Sequence, residues 1–212
     1  MATPFEIQTS PSLPLLCPAV TLEGLTVRAE SAALEAEIAA LCTELRQRHA
    51  GLPISDVPGV QAVRTTYRAI GVDPTRYRPS SEALLHRVLK GQNLYRINTL
   101  VDALNLCSLR YMVPFGLYDL DALRPPVTLR LGQDGEGYPG IRKELVNVAG
   151  RYCLADALGP FGNPSSDSDR AKITLATKRA LVVAFLPQDT PAATVKEIVD
   201  GTAETLVKHS TA

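Results

Sequence analysis

Apolar residues fall at helical spacing through the first half of this 212-residue chain and as short continuous runs through the second. Leu34, Ile38, Leu41 and Leu45 mark one face of a helix that Ser31 caps and that ends near His49, with Gly51 beyond it. Val60, Val63, Tyr67 and Ile70 mark a second, from Asp56 or Pro58 to a stop at Gly71, with Arg64 and Arg68 on its other side. Leu84, Leu85, Val88 and Leu89 mark a third, capped near Ser80 or Ser81 and closed by Gly91. A fourth runs from about Ile97 to Tyr111, and Thr190-Pro191 opens a last one with Val195, Ile198, Val199 and Leu206 on its buried side. One or two short strands precede the first helix within Phe5–Val27. Val127–Leu131, Leu145–Val148, Tyr152–Ala157, Ile173–Thr177 and Leu181–Leu186 read as further strands. Helices concentrated in the N-terminal half, with a mostly antiparallel sheet in the C-terminal half, predict an α+β fold. Neither a βαβ repeat nor a dinucleotide-binding glycine pattern is present.

The fourth helix breaks its own pattern. Asn98, Asp102 and Asn105 fall at i, i+4 and i+7, a polar stripe beside the apolar face of Ile97, Leu100, Val101 and Leu104. Buried polar groups need partners, so such a stripe either caps a neighbouring loop or faces a ligand.

The segment around it, Pro79-Ser80-Ser81-Glu82, then Ile97-Asn98-x-x-Val101-Asp102-x-x-Asn105, then Leu117-Tyr118-Asp119, resembles the B3/B4 domain of the phenylalanyl-tRNA synthetase β subunit. The resemblance extends more weakly over about Val60 to Leu186, through Val127–Leu131, Tyr152–Asp156 and the loop Gly162-Asn163-Pro164-Ser165-Ser166-Asp167. It implies a freestanding editing domain that deacylates mischarged aminoacyl-tRNA in trans without a metal or cofactor. It also implies Asn105 in an editing pocket and Asn98 and Asp102 as framework. Asn105 and Asp119 are then the expected catalytic residues, with Ser165, Ser166, Asp167, Gly116 and Tyr118 contacting substrate. The family's His-Ala-Phe-Asp run, whose histidine helps place the hydrolytic water, reads Gly116-Leu117-Tyr118-Asp119 here. The same departure suits an alternative, a non-catalytic module of this fold that binds tRNA or a free amino acid. The loop Gly159–Asp169 by itself reads as a flexible surface turn, and Gly132–Gly137 as a hairpin turn.

Composition changes this picture little. Lys+Arg and Asp+Glu balance at 22 each, so any RNA contact has to be a local patch. Arg64, Arg68, Arg78 and Arg87, with Arg76, Tyr67 and Tyr77 nearby, form the one basic and aromatic concentration, which suits phosphate contact and base stacking or else solvated helix faces. Four scattered cysteines, no apolar leader and no long apolar run predict a reduced, cytoplasmic protein with no membrane or DNA partner. Three histidines exclude a histidine-rich metal cluster. Ser81 with His86 admits a serine-hydrolase reading, although an N-cap serine and an exposed Glu82–His86 pair explain the same residues. The length suits one domain over 1–212, with 1–51 as an N-terminal extension packed on it.

Overall fold

A computed structural model describes residues 2–9, 13–142 and 144–211. The N-terminal part holds β1 (Ala2–Phe5), β2 (Gln8–Thr9), β3 (Leu15–Leu16) and β4 (Ala19–Glu23). Then come α1 (Ala32–Arg48), α2 (Val60–Ala69), α3 (Ser80–Leu89), α4 (Thr99–Tyr111) and β5 (Phe115–Asp119). The remaining strands are β6 (Thr128–Leu131), β7 (Gly137–Tyr138), β8 (Val146–Asn147), β9 (Tyr152–Asp156), β10 (Gly159–Asn163), β11 (Ser166–Asp167), β12 (Arg179–Ala184) and β13 (Leu186–Pro187). The helix α5 (Ala192–Ser210) follows.

The apolar run of β12 has no alternation because both its faces are covered. It lies inside an antiparallel sheet of order β1-β4-β12-β5. Val20, Leu22, Leu117, Val182 and Ala184 turn to one face and pack with Leu34, Leu85, Leu100, Cys107 and Leu206 of the helices. Ala19, Tyr118, Leu181 and Val183 turn to the other face and meet Leu129, Leu154 and Phe161 of a second sheet. That sheet has the order β11-β10-β9-β6-β2 and is antiparallel except where β2 joins β6. Three layers result: helices, a central sheet and an outer sheet. The fold is α+β, and β4, from the N-terminal 51 residues, is an inner strand of the central sheet.

The helix boundaries follow from local chemistry. Ser31 accepts a hydrogen bond from Leu34 N–H, and Asn98 from Val101 N–H, each capping its helix. Gly71 and Gly91 take left-handed φ values of +73° and +74°, and the residue after each bonds back to a carbonyl five residues earlier, Tyr67 and Arg87 respectively.

Several expectations are corrected. The N-cap of α3 is Pro79, and Ser80 and Ser81 lie inside its first turn with buried hydroxyls that find no partner among the described residues. Ser81 is fully buried, so it offers no accessible nucleophile, and Glu82 is buried against Arg64 instead of exposed beside His86. Residues 173–177 form a turn, in which the Thr177 hydroxyl accepts from Thr174 N–H, and the strand begins at Arg179. The region 159–169 is no flexible turn but the β10–β11 hairpin, closed by Asn163, whose Oδ1 accepts from Ser165 N–H and Ser166 N–H. Gly132–Gly137 turns between β6 and β7, which pair with other strands and not with each other. The N-terminal segment supplies four short strands. Ile97 precedes α4 and is 50% exposed.

Two ionic contacts tie the helical layer together. Arg64 of α2 grips Glu82 of α3 through two hydrogen bonds of 2.8 and 2.7 Å, and the Glu82 side chain is 1% exposed. Removing one partner of such a pair strands a buried charge. Arg64→Met should therefore lower unfolding free energy by about 3 kcal/mol in urea titration; a loss below about 1 kcal/mol would show that the pair does not anchor α2. Glu37 of α1 accepts from Lys208 at 2.7 Å and Arg110 at 2.9 Å and lies 3.0 Å from His209 Nε2. The Lys208 contact above all holds its carboxyl down to about 2, against an opposing effect of burial that is second in size, with Arg110 and His209 adding to the depression. A depressed carboxyl stabilises the fold fully above its ordinary value of 4.5 and loses that contribution as pH falls toward 2. Glu37→Gln should accordingly flatten the acid limb of the stability profile between those values, and an unchanged limb would refute the assignment.

Candidate functional site

Asn105 projects from α4 into a cavity of about 400 Å³ between α3, α4 and the edge strand β5. Its side-chain amide, half-buried, has no hydrogen-bond partner among the described residues. Val101, Leu104, Phe115, Leu117 and Ile173 supply apolar walls, while Ser80, Asp167, Arg142 and an Asp169–Lys172 pair supply polar groups. The Ser80 hydroxyl, also without a protein partner, lines this cavity and a neighbouring one of about 220 Å³ that reaches Asn163, Ser165 and Ser166. Among the described residues no histidine is in the lining of either.

Asn98 and Asp102 stay out of the lining. Asn98 caps α4, and Asp102 Oδ1 accepts from Ile97 N–H at 3.1 Å, fixing the approach to the helix. Burial raises the Asp102 carboxyl pKa, partly opposed by that hydrogen bond. Asp119 is also absent from the cavity lining: one oxygen accepts from Asp121 N–H at the start of a 3-10 turn, and the other from the Thr177 hydroxyl at 2.7 Å. It fixes the exit from β5.

Asp167 reaches the cavity under constraint. The hydroxyl of Tyr118, a fully buried residue, donates to Asp167 Oδ1 at 2.7 Å, and its ring meets Phe161 edge-on with centroids 4.8 Å apart. Desolvation first, then the Asp167 charge, push the phenol pKa well up, so it remains a proton donor. Two further buried tyrosines hold the same loop: Tyr67 donates to Pro164 O at 2.7 Å, and Tyr138 to Ser166 O at 2.6 Å. Burial raises both of their pKa values as well.

Gly116 lies under the Tyr118 ring. A Cβ on Gly116 would sit 2.3 Å from the Tyr118 hydroxyl, and one on Gly162 would sit 2.1 Å from it. The space that a side chain at 116 needs is already occupied. Tyr118 and Gly116 therefore shape the cavity from behind its wall.

The basic residues divide. Arg64 is engaged by Glu82, toward which Arg78 Nε also points at 3.5 Å. Arg87 donates to Asn93 O and stacks over Tyr95 at 4.0 Å, while Arg68 is exposed on α2. They do not form a single free patch. Sequence reasoning missed Ser80 as a lining residue and Arg142 at the rim, the latter in a left-handed conformation that its sequence does not announce.

A family model described as the B3/4 domain matches residues 62–198. The chain belongs to the B3/4 domain family. Its boundaries agree closely with the segment that carried the resemblance in sequence. A solved N-terminal fragment of the phenylalanyl-tRNA synthetase β subunit from Pyrococcus horikoshii is similar to it at 12% identity and a TM-score of 0.46, covering 98% of this chain. The B3/4 chain spans 52% of that fragment, about half its length. No curated protein sequence matches. Among the described residues no helix is long and apolar enough to cross a membrane, and no cluster of His, Cys, Asp and Glu is arranged to hold a metal ion.

The Tyr118 packing is open to test. Gly116→Ala should lower stability by about 1–3 kcal/mol, the usual cost of forcing atoms into a filled core. Thermal unfolding reads the loss, and an unshifted midpoint would show that the ring moves aside freely.

Proposed function

We propose that this B3/4 protein hydrolyses the ester of mischarged aminoacyl-tRNA in trans. The observation that carries the reading is the unpartnered Asn105 amide in a largely apolar cavity whose far wall holds Asp167. An aminoacyl ester offers what these groups need. Its carbonyl oxygen accepts from the Asn105 amide, its α-ammonium faces Asp167, and its side chain takes the apolar walls. Water adds to the carbonyl carbon, the bond to the ribose oxygen breaks, and the water's proton ends on that oxygen, releasing amino acid and tRNA.

With no imidazole in the lining, catalysis rests on positioning and on stabilising the oxyanion, with a vicinal ribose hydroxyl assisting the water. The walls select esters with apolar side chains over charged ones. Ser165 and Ser166 border the adjoining space where the ribose enters. Arg142 and Lys172 at the rim, and Arg68 beyond it, are the cations placed to meet the RNA backbone, in the cytoplasm where charged tRNA is found.

A second reading, a binding module without catalysis, is favoured by one observation: position 116, where the resembling run carries its histidine, is glycine, and Tyr118 fills the space that a side chain there would need. A panel of aminoacyl-tRNAs, correctly and incorrectly charged, decides between them. Editing predicts selective release of an apolar amino acid and a loss of about 10²-fold or more in Asn105→Ala, as for removal of an oxyanion donor. Binding without release from any member would establish the module instead.

A further inference from the structure

A groove of about 760 Å³ runs along α1, and nothing in the proposed hydrolysis uses it. Its floor is the α1 stripe of Ala32, Ala36, Ala39 and Thr43, all exposed, with Ile38 and Cys42 deeper. The connection from α3 to α4 forms the opposite wall through Asn93, Leu94 and Arg96. From position 32 to position 46 the helix rises about 21 Å, a length of surface whose short side chains let another chain approach closely. The whole of α1 precedes residue 62, where the family match begins, so half of this groove is built by a segment outside the matched domain.

The charge of the groove is one-sided. Arg46 donates from Nε to Val88 O at 2.9 Å and from Nη2 to Gln92 O at 3.4 Å, which leaves Nη1 without an acceptor among the described residues. Arg96 is exposed and has no hydrogen-bond or ionic partner among them. None of their carboxylates lies within 4.0 Å of either arginine, whereas Arg48, on the far side of α1, is paired with Glu44. Burial pushes the Cys42 thiol pKa up, and the charges of Arg46 and Arg96 both act against that rise, so the two guanidinia converge on one stretch of the floor. Glu35, nearer the helix start, is the one acid in the lining among the described residues.

Size and lining choose among occupants. The groove is many times the roughly 30 Å³ share of one water molecule, so a lone small anion leaves most of it empty. Among the described residues no aromatic side chain lines it, which leaves a nucleobase nothing to stack on. A polypeptide matches every part: aliphatic side chains on Ile38, Leu94 and the alanines, main chain on the unpartnered Asn93 amide, and carboxylates on Arg46 and Arg96. We propose that this groove docks an acidic, aliphatic segment of a partner protein. The inference goes beyond ester hydrolysis and stands without it.

Selection from a displayed library of random short peptides on the intact protein tests it. Peptides enriched on the wild type and not on Arg96→Glu are expected to be rich in Asp, Glu and aliphatic residues. A selected peptide should bind Arg96→Gln about tenfold more weakly, the worth of a charge-assisted contact, and should lose affinity as salt rises. Arg96 holds nothing else in the fold, so that loss is not one of folding. Ala39→Glu, at an exposed helical position, puts bulk and a like charge into the groove and should abolish binding with thermal unfolding unshifted. No enrichment, enrichment indifferent to both Glu variants, or selected peptides without acids overturns the proposal. Inorganic phosphate or a single-stranded RNA held as tightly as any peptide and lost in Arg96→Glu also overturns it, assigning the groove to an anion or a nucleic acid. Self-association of the wild type that Ala39→Glu abolishes overturns it as well, in favour of a second copy of the chain. Because the readout is peptide binding, it can succeed where no aminoacyl ester is cleaved and fail where one is.

Discussion

The Tyr118 phenol is the contact on which the geometry of the molecule's clefts depends. It projects from β5 toward the outer sheet, packs edge-on against Phe161 and donates to Asp167. One side chain therefore sets the spacing of two sheets and the position of a carboxylate in the cavity. Its hydrogen bond is formed in a dry site, where an unpaired hydroxyl is costly and a paired one is strong. Tyr67 from α2 and Tyr138 from β7 repeat the device on Pro164 and Ser166. A loop of Asn, Pro and Ser, which a solvent-exposed setting leaves mobile, is fastened from three directions. Burial keeps all three phenols protonated, so the fastening does not loosen in the neutral range.

A rigid loop makes a partition. On one side lies the cavity that Asn105 and Asp167 line, on the other the cleft of Tyr77 and Arg151, with Asn163, Ser165 and Ser166 facing both the second cleft and the space adjoining the first.

How much of this the sequence conveys depends on how local each cause is. Helix faces, the glycine stops at Gly71 and Gly91 and the cap at Asn98 are decided within a few residues, and the periodicity and turn chemistry reveal them. The polar stripe of α4 divides in space: Asn98 and Asp102 hold the backbone while Asn105 faces the cavity. What stays hidden is decided by partners far along the chain. Glu82 looks like half of an exposed helical pair until Arg64, 18 residues earlier, buries it. The hairpin at 159–167 looks like a loop because its strands are short and rich in Gly, Pro and Ser, and only Phe161 beneath Tyr118 shows that it is held. Asp119 matched its motif, but long-range contact with Thr177 draws it away from the cavity.

Gly116 and Tyr118 constrain one another sterically. Where the resembling run reads His-Ala-Phe-Asp, this chain has Gly116-Leu117-Tyr118-Asp119, with a hydroxyl at the third position. Residues 116 and 118 share one face of β5, as alternate residues of a strand must. This hydroxyl is the atom nearest to where a Cβ at 116 would stand, at 2.3 Å, with ring carbons next at 2.7 Å. That hydroxyl donates to Asp167 at 2.7 Å, which holds the ring where it stands. Glycine at 116 is then the residue that the tyrosine allows, and the acceptor at Asp167 is what holds the tyrosine there. Asn105 and Asp167 are polar groups of the cavity, held in place by helix and hairpin.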